Sequence, residues 1–375
     1  MKLLIPCASG LEASVKRQLK ELGYGDCPAI NGRISLDGSW EDVARLNVFL
    51  RSGERVLISL ASFSAQTFDE LFDGVYRIPF EEWLTPHAQI RMDGNCYQIK
   101  LMAIKSTGGV AKKAILSRLK DKLGVRTFDE KGERVTIGVS VYKDVVTVTL
   151  DTSGEGLHKR GYRTLSWEAP LKETTAAAMI ESSVYRAGKP FADLFCGSGT
   201  LPIEAAMYAL KIAPGKSRSF DFTRLKCAPK VLEKAKQEAE ALEDRTTKLT
   251  LFASDISPEA IKIAKYHAKK AGVEEHIRFS VKDMRTFSST ERYGVMISNP
   301  PYGERLQKGE DLLPLYRDFA QVYRKLPDWS CYFLSGFPRA ESAFGRQADK
   351  RRKLFNANLE CGFYGYLGAK PVKGE

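Results

Sequence analysis

An α/β fold built on a doubly wound, mostly parallel sheet, preceded by two smaller α+β units, is what the sequence predicts. Three observations point there. From residue 171 onward helical and strand patterns alternate, the order that places a parallel sheet between two layers of helices. Within that region "FADLFCGSGTLPIEAA" sets a Gly-x-Gly turn between an apolar strand and a helix. Ahead of it, strands and amphipathic helices come in two short sets that differ in charge.

The first unit spans residues 1–65. "KLLIPCA" reads as a strand, and "GLEASVKRQLKELGY" as a helix with Leu11, Val15, Leu19 and Leu22 on one face and Gly23 or Gly25 past its end. "GRISLDGS" and "WEDVARLNVFLRS" add a strand and a second helix. The second unit, residues 66–155, contributes a strand in "NCYQIKLMAIKS" and a helix in "GGVAKKAILSRLKDKLG". On that helix Ala111, Ile115, Leu119 and Leu123 form the apolar stripe, which leaves Lys112, Lys113, Arg118, Lys120 and Lys122 outward. "RVTIGVSVYKDVVTVTLDTSG" follows as two strands joined by a Tyr-Lys-Asp turn.

A basic and aromatic connector, residues 156–170, leads into the domain at 171–375. There "LKETTAAAMIESSVYRAG", "LPIEAAMYAL" and "PEAIKIAKYHAKKAG" have helical patterns, while "PFADLF", "LTLFASDI", "IRFSVKD" and "YGVMISNP" read as strands.

Composition excludes several classes. No apolar run approaches the ~20 residues of a membrane-spanning helix, and the opening apolar stretch is too short for a secretory signal, so a cytoplasmic protein is expected. Seven cysteines without a CxxC pair and four scattered histidines predict neither a disulfide framework nor a metal site. The net charge of +12 is unevenly spread: residues 1–100 carry 11 basic and 13 acidic side chains, 101–163 carry 13 and 7, and 164–375 carry 34 and 26. A dense basic stretch beside a moderately basic domain fits a polyanion partner, and equally a solvated lysine face.

At the Gly-x-Gly turn, Gly197 and Gly199 let the backbone approach a ligand, and Pro202 sits in the first helical turn where a missing N–H does no harm. The third glycine of a dinucleotide fingerprint is absent, as is a phosphate-loop Gly-Lys-Ser/Thr. Asp193 opens this motif; Asp255 and Asp283 end the next two strands, where carboxylates can accept from ribose hydroxyls and a purine amine. Helix capping is the commoner use of each aspartate alone, above all for Asp255 before "SPEA". Three acidic strand ends in succession favour a ligand.

The order Asp193, Gly-x-Gly, Asp255, Asp283, Asn-Pro-Pro-Tyr resembles the class I S-adenosylmethionine-dependent methyltransferases that act on exocyclic amines, a Rossmann-like fold. The separation of 56 positions from Gly199 to Asp255 exceeds the usual spacing, and "IAPGKSRSFDFTRLKCAP" fills the gap. That insertion, with "LHKRGYR", "APLKETTAAAMI", "NPPYGERL" and "RRKLFNANLECGFYGY", is similar to the THUMP-domain-containing RNA methyltransferases related to those making N2-methylguanosine in large-subunit ribosomal RNA. The resemblance implies a ferredoxin-like unit and a THUMP unit gripping RNA, S-adenosylmethionine as cofactor, and Glu173 and Thr174 beside that cofactor.

Asn-Pro-Pro-Tyr answers a chemical need. An exocyclic amine is a poor nucleophile because its lone pair is delocalised into the ring. Two acceptors aimed at its hydrogens, the Asn299 side-chain oxygen and the Pro300 carbonyl, favour the pyramidal, nucleophilic form. Pro300 and Pro301 stiffen the loop and add no competing N–H donor. Tyr302 offers a face for an extruded base. In the connector, His158, Lys159, Arg160, Tyr162 and Arg163 are expected to contact RNA, with Lys112, Lys113 and Arg118 from the basic helix. An adenine-N6 methyltransferase on DNA or RNA and a noncatalytic RNA-binding assembly factor remain as alternatives.

Overall fold

The computed structural model describes all residues except 31, 98–103, 125–127, 129–130, 167–170, 303–310, 358 and 371–375. The two amino-terminal units share one seven-stranded sheet. Its elements in chain order are β1 (Lys2–Pro6), α1 (Glu12–Glu21), β2 (Ala29–Ile30), β3 (Arg33–Asp37), α2 (Trp40–Phe49), β4 (Leu57–Ser64), α3 (Phe68–Tyr76), β5 (Gln89–Tyr97), α4 (Ile104–Leu123), β6 (Arg134–Tyr142) and β7 (Val145–Asp151). The strand order is β2-β3-β1-β4-β7-β6-β5. Antiparallel pairing of β4 with β7, from Leu57↔Asp151 to Ser64↔Val145, fuses the two units.

Local chemistry explains most of these elements. Ser39 and Thr67 form capping boxes with Asp42 and Glu70, which start α2 and α3. Lys143 and Asp144, both at positive φ, make the tight turn expected between β6 and β7. Two sequence expectations need correction. The strand expected over 95–106 begins earlier, at Gln89, and Ile104 already belongs to α4, so Gly108 and Gly109 lie inside the helix. β4 and α3 had no sequence assignment; β4 interrupts its apolar residues with Ser59, Ser62 and Ser64 and fully buries only Ile58, which blurs its apolar pattern.

The second sheet carries α5 (Glu173–Ser182), β8 (Phe191–Asp193), α6 (Thr200–Ala209), α7 (Leu232–Ala241), β9 (Leu251–Asp255), α8 (Pro258–Lys270), β10 (Ile277–Val281), β11 (Val295–Ser298), α9 (Leu313–Arg324), β12 (Ser330–Ser335), α10 (Ala340–Ala343), β13 (Lys350–Asn356) and β14 (Leu359–Tyr366). Strands run in the order β10-β9-β8-β11-β12-β14-β13, parallel except where β14 opposes β12 and β13. The chain winds outward from β8 to β10 and then returns to β11, so β8 and β11 flank the topological switch point where such sheets bind ligands.

The insertion between α6 and β9 ties the two sheets together. Phe220, Phe222, Leu225, Ala235 and Ala239 belong to the hydrophobic core of the amino-terminal half. Gly215 and Phe222 donate to the carbonyls of Val48 and Thr152, and Arg45 pairs with Glu238 of α7 at 2.8 Å. At the other seam Glu181 of α5, buried, accepts hydrogen bonds from Ser14, Gln18 and Ser52.

Candidate active site

The carboxyl ends of β8, β9, β10 and β11 converge on a cavity of ≈ 270 Å³ lined by residues that include Gly197, Asp255, Ile256, Asp283, Asn299 and Pro301. Each arrives for a local reason. β8 ends at Asp193, and the turn after it needs Gly197 and Gly199 at φ +51° and +88°, where a side chain is strained. A Cβ on Gly199 would also stand 3.0 Å from the Ala264 Cβ of α8. Asp255 closes β9; its Oδ2 accepts the Gly197 N–H at 2.9 Å and its Oδ1 the Ser257 N–H at 3.0 Å. Ser257, rather than Asp255, caps α8 by accepting from Ala260.

Asp283 lies beyond β10 and begins a short 3-10 turn, accepting from the Arg285 N–H and, in a fork, from its guanidinium. That cation holds the Asp283 carboxyl at about 2. Asp193 is the opposite case: burial pushes its carboxyl up to about 7 against the hydrogen bonds from Ser298 and Phe195. Among the described residues its buried Oδ2 has no hydrogen-bond partner, and neither has the buried Oδ1 of Asn299, the residue directly after β11. Ile256, 71% exposed at the rim, offers an apolar surface beside two carboxylates.

Three residues that sequence reasoning missed hold this arrangement. Ser298 donates to Asp193 and accepts from the Leu194 N–H. His267 of α8, buried, sits 3.1 Å from the Ser198 carbonyl through Nδ1 and accepts from the Leu165 N–H through Nε2. Lys282 joins the lining and donates its main-chain N–H to the Asp255 carbonyl at 3.0 Å. Only the His267 helix position carried a signal, as a polar residue in line with the buried Ala260 and Ala264.

Other expected residues lie elsewhere. Arg160 and Tyr162, expected to contact RNA, are both buried on Glu204, Arg160 Nε at 3.3 Å and the Tyr162 hydroxyl at 3.1 Å. Arg163 donates to the Leu171 carbonyl and the Thr200 hydroxyl and lies 3.3 Å from Glu173. His158 faces Glu54, whereas Lys159 is exposed beside Glu155. Leu157, Arg160 and Tyr162 are buried, and basic and aromatic groups of this segment meet carboxylates from both halves, Glu54 and Glu204. Thr174 spends its hydroxyl on Glu54 at 2.8 Å, and Glu173 is buried at the start of α5, both outside the cavity lining. Arg118 forks onto Glu81, Lys112 is half-buried, and Lys113 is exposed. Tyr302 is 4% exposed, its hydroxyl accepting from Asn356 at 2.9 Å, so stacking needs its ring uncovered. Burial pushes the Cys196 thiol well up, which leaves it a packing residue.

Strand-end carboxylates, a left-handed glycine turn, an apolar rim and orphaned acceptors at the switch point fit a nucleoside bearing an amino acid tail. They define a class I S-adenosylmethionine-dependent methyltransferase. Residues 160–364 match the RMKL-like methyltransferase domain, residues 2–57 the RlmL ferredoxin-like domain and residues 65–151 the THUMP domain. The chain belongs to the RMKL-like methyltransferase family. It is 36% identical over 367 residues to "Putative RNA methyltransferase YpsC" of Bacillus subtilis (strain 168), across 97% of this chain and 95% of that one. It is 33% identical over 370 residues to "Ribosomal RNA large subunit methyltransferase K/L" of Psychromonas ingrahamii, across 96% of this chain and 49% of that protein, so it spans about half that relative. Among solved structures, a "predicted N6-adenine-specific DNA methylase" from Listeria monocytogenes superimposes with a TM-score of 0.92 at 39% identity, over 98% of this chain and 96% of that one. "SMU.472, a putative methyltransferase complexed with SAH" gives a TM-score of 0.92 at 36% identity, over 99% of both chains.

Proposed function

We propose that the chain methylates the exocyclic N2 amine of a guanine in large-subunit ribosomal RNA. The observation that carries this reading is the Asn299 side-chain oxygen, buried and, among the described residues, unpartnered on the wall of the cavity that Asp255 and Asp283 also line. A buried acceptor left unmatched costs about 1–3 kcal/mol, a cost that a donor brought by substrate removes. The THUMP match and the RNA methyltransferases among the relatives support RNA as substrate.

In this reading Asp255 accepts from ribose hydroxyls, Asp283 from the purine amine, and Ile256 covers the purine face. Gly197 and Gly199 let the main chain approach the tail, near Asp193. S-adenosylmethionine, when bound, supplies an activated methyl on a sulfonium. Asn299 and the Pro300 carbonyl hold the two hydrogens of the guanine amine, Pro301 keeps that pair rigid, and Tyr302 takes the flipped base. Positioning supplies the acceleration, and the product amine sheds its proton without a dedicated base. Lys112 and Lys113 of α4 engage phosphates.

Nucleosides digested from ribosomal RNA of cells lacking the protein, and from that RNA after treatment with enzyme and radiolabelled methyl donor, test this. N2-methylguanosine is the expected product. The Listeria neighbour, a predicted N6-adenine-specific DNA methylase, favours adenine N6 instead, and the acceptor pair suits either amine. Label appearing only in N6-methyladenosine would overturn the guanine assignment.

A further inference from the structure

β11 ends at Ser298, and the chain then passes through Asn299, Pro300, Pro301 and Tyr302. Neither proline has an N–H, so at those two positions the main chain can be tied to the rest of the fold only through its carbonyls. Ring closure fixes φ of both prolines at about −65°, which leaves ψ as the rotation that turns each carbonyl. A loop that must hold two acceptors steady therefore needs a donor from another element.

That donor comes from α9. The Tyr316 hydroxyl lies 3.2 Å from the Pro301 carbonyl and 2.6 Å from the Ser335 hydroxyl at the end of β12, and Ser335 Oγ accepts the Phe337 N–H at 3.0 Å. A carbonyl can only accept, so the Tyr316 proton goes to Pro301 and the Ser335 proton to Tyr316. The relay thus runs one way, from the turn after β12 into the acceptor loop. Tyr316 is 0% exposed and Ser335 1%, which keeps water from competing for these bonds. The same turn seats Tyr302: a Cβ on Gly336 would fall 3.2 Å from the Tyr302 Cδ2.

Packing does not call for the Tyr316 hydroxyl. On α9 the ring shares a buried face with Phe319, Ala320 and Tyr323 and meets Phe333 edge-on at 5.9 Å, contacts that a phenylalanine would make equally well. Tyr185 and Tyr366, also 0% exposed, carry hydroxyls without a hydrogen-bond partner among the described residues. The Tyr316 hydroxyl instead reaches the loop, one residue after Leu315, which lines the cavity together with Asn299 and Pro301.

We propose that Tyr316, backed by Ser335, is a positioning residue for methyl transfer. It pins the Pro301 carbonyl, and with β11 holding the chain before Asn299 this fixes the directions of the Asn299 oxygen and the Pro300 carbonyl. The proposal rests on the acceptor role given to Asn-Pro-Pro-Tyr and holds for guanine and adenine amines alike. Without the hydroxyl the loop keeps its place against the core while the Pro301 peptide is released, so the cost falls on the rate and not on binding.

Rates of methyl transfer from radiolabelled S-adenosylmethionine to ribosomal RNA from cells lacking the protein, measured well below the thermal midpoint, test it. Tyr316→Phe lowers kcat about tenfold, while KM for both substrates and S-adenosylhomocysteine affinity stay at wild-type values. Its thermal midpoint falls by about 2–4 °C, the share of one hydrogen bond. Ser335→Ala lowers kcat about threefold, and the double variant is no slower than Tyr316→Phe, because both act through one bond. Tyr366→Phe, which removes a buried hydroxyl outside the relay, leaves kcat unchanged. A Tyr316→Phe enzyme within about twofold of wild-type kcat, one whose loss lies in KM or cofactor affinity, or one matched by Tyr366→Phe would overturn the positioning role and spare the enzyme assignment. A wild type that transfers no methyl group to this RNA would overturn both.

Discussion

The Ser298 hydroxyl donates to Asp193 Oδ1 at 2.8 Å and accepts the Leu194 N–H at 3.1 Å, which locks the ends of β8 and β11 one residue before the acceptor asparagine. This bond opposes the burial that pushes the Asp193 carboxyl from 3.8 to about 7. Between those values the folded protein keeps a proton that the unfolded chain releases. Stability from this group is therefore fully present below 3.8 and lost as pH rises to about 7. Asp193→Asn, neutral throughout, should flatten the fall in urea midpoint across that window. Ser298→Ala, lacking the donor, should extend the fall to higher pH.

Asn299 tests the chemistry more directly. Its orphaned oxygen is buried beside the cavity, so Asn299→Ala should remove a transition-state contact without disturbing the nucleoside end of the site at Asp255 and Asp283. Turnover on ribosomal RNA is expected to fall about a hundredfold or more, while S-adenosylhomocysteine affinity by calorimetry changes within about threefold. Asn299→Asp, which keeps an oxygen but adds charge, should not restore the rate.

Arg160 and Glu204 lie 3.3 Å apart with 1% and 0% of their side chains exposed, and Arg160 also donates to the Leu157 and Arg51 carbonyls. Removing one partner strands a buried charge, so Arg160→Ala should destabilise the chain by about 3–5 kcal/mol in urea unfolding. Glu204→Leu combined with Arg160→Met should recover much of that loss. An Arg160 whose main business is RNA would instead lose affinity at unchanged stability.

These contrasts show what the sequence discloses. The acceptor loop was legible because two prolines end β11 in a way only local chemistry can require, and the strand-end acids because parallel strands present their carboxyl ends to one crevice. Ser298 and Arg160 were not. Their meaning comes from Asp193, 105 positions away, and Glu204, 44 positions away, and composition cannot separate a cation facing solvent from one buried on a distant carboxylate. β4 escaped for a related reason. Ser59, Ser62 and Ser64 interrupt its apolar residues, and only Ile58 is fully buried, so the strand carries no clean alternation.

The same distinction runs along α4. Arg118 forks onto Glu81 and rests near the Tyr76 ring, whereas Lys113, one and a half turns earlier, is exposed. If α4 engages phosphates, the two should respond differently to substitution. Lys113→Glu should weaken binding to a ribosomal RNA transcript and reduce the salt slope by about 0.7–0.9, with thermal stability held. Arg118→Ala should instead lower stability by about 1 kcal/mol or less, as a partly exposed pair does, and leave the slope in place. Anisotropy across a salt series, run beside thermal melts of the same preparations, reads both quantities. Equal slopes for wild type and Lys113→Glu would remove α4 from the RNA surface.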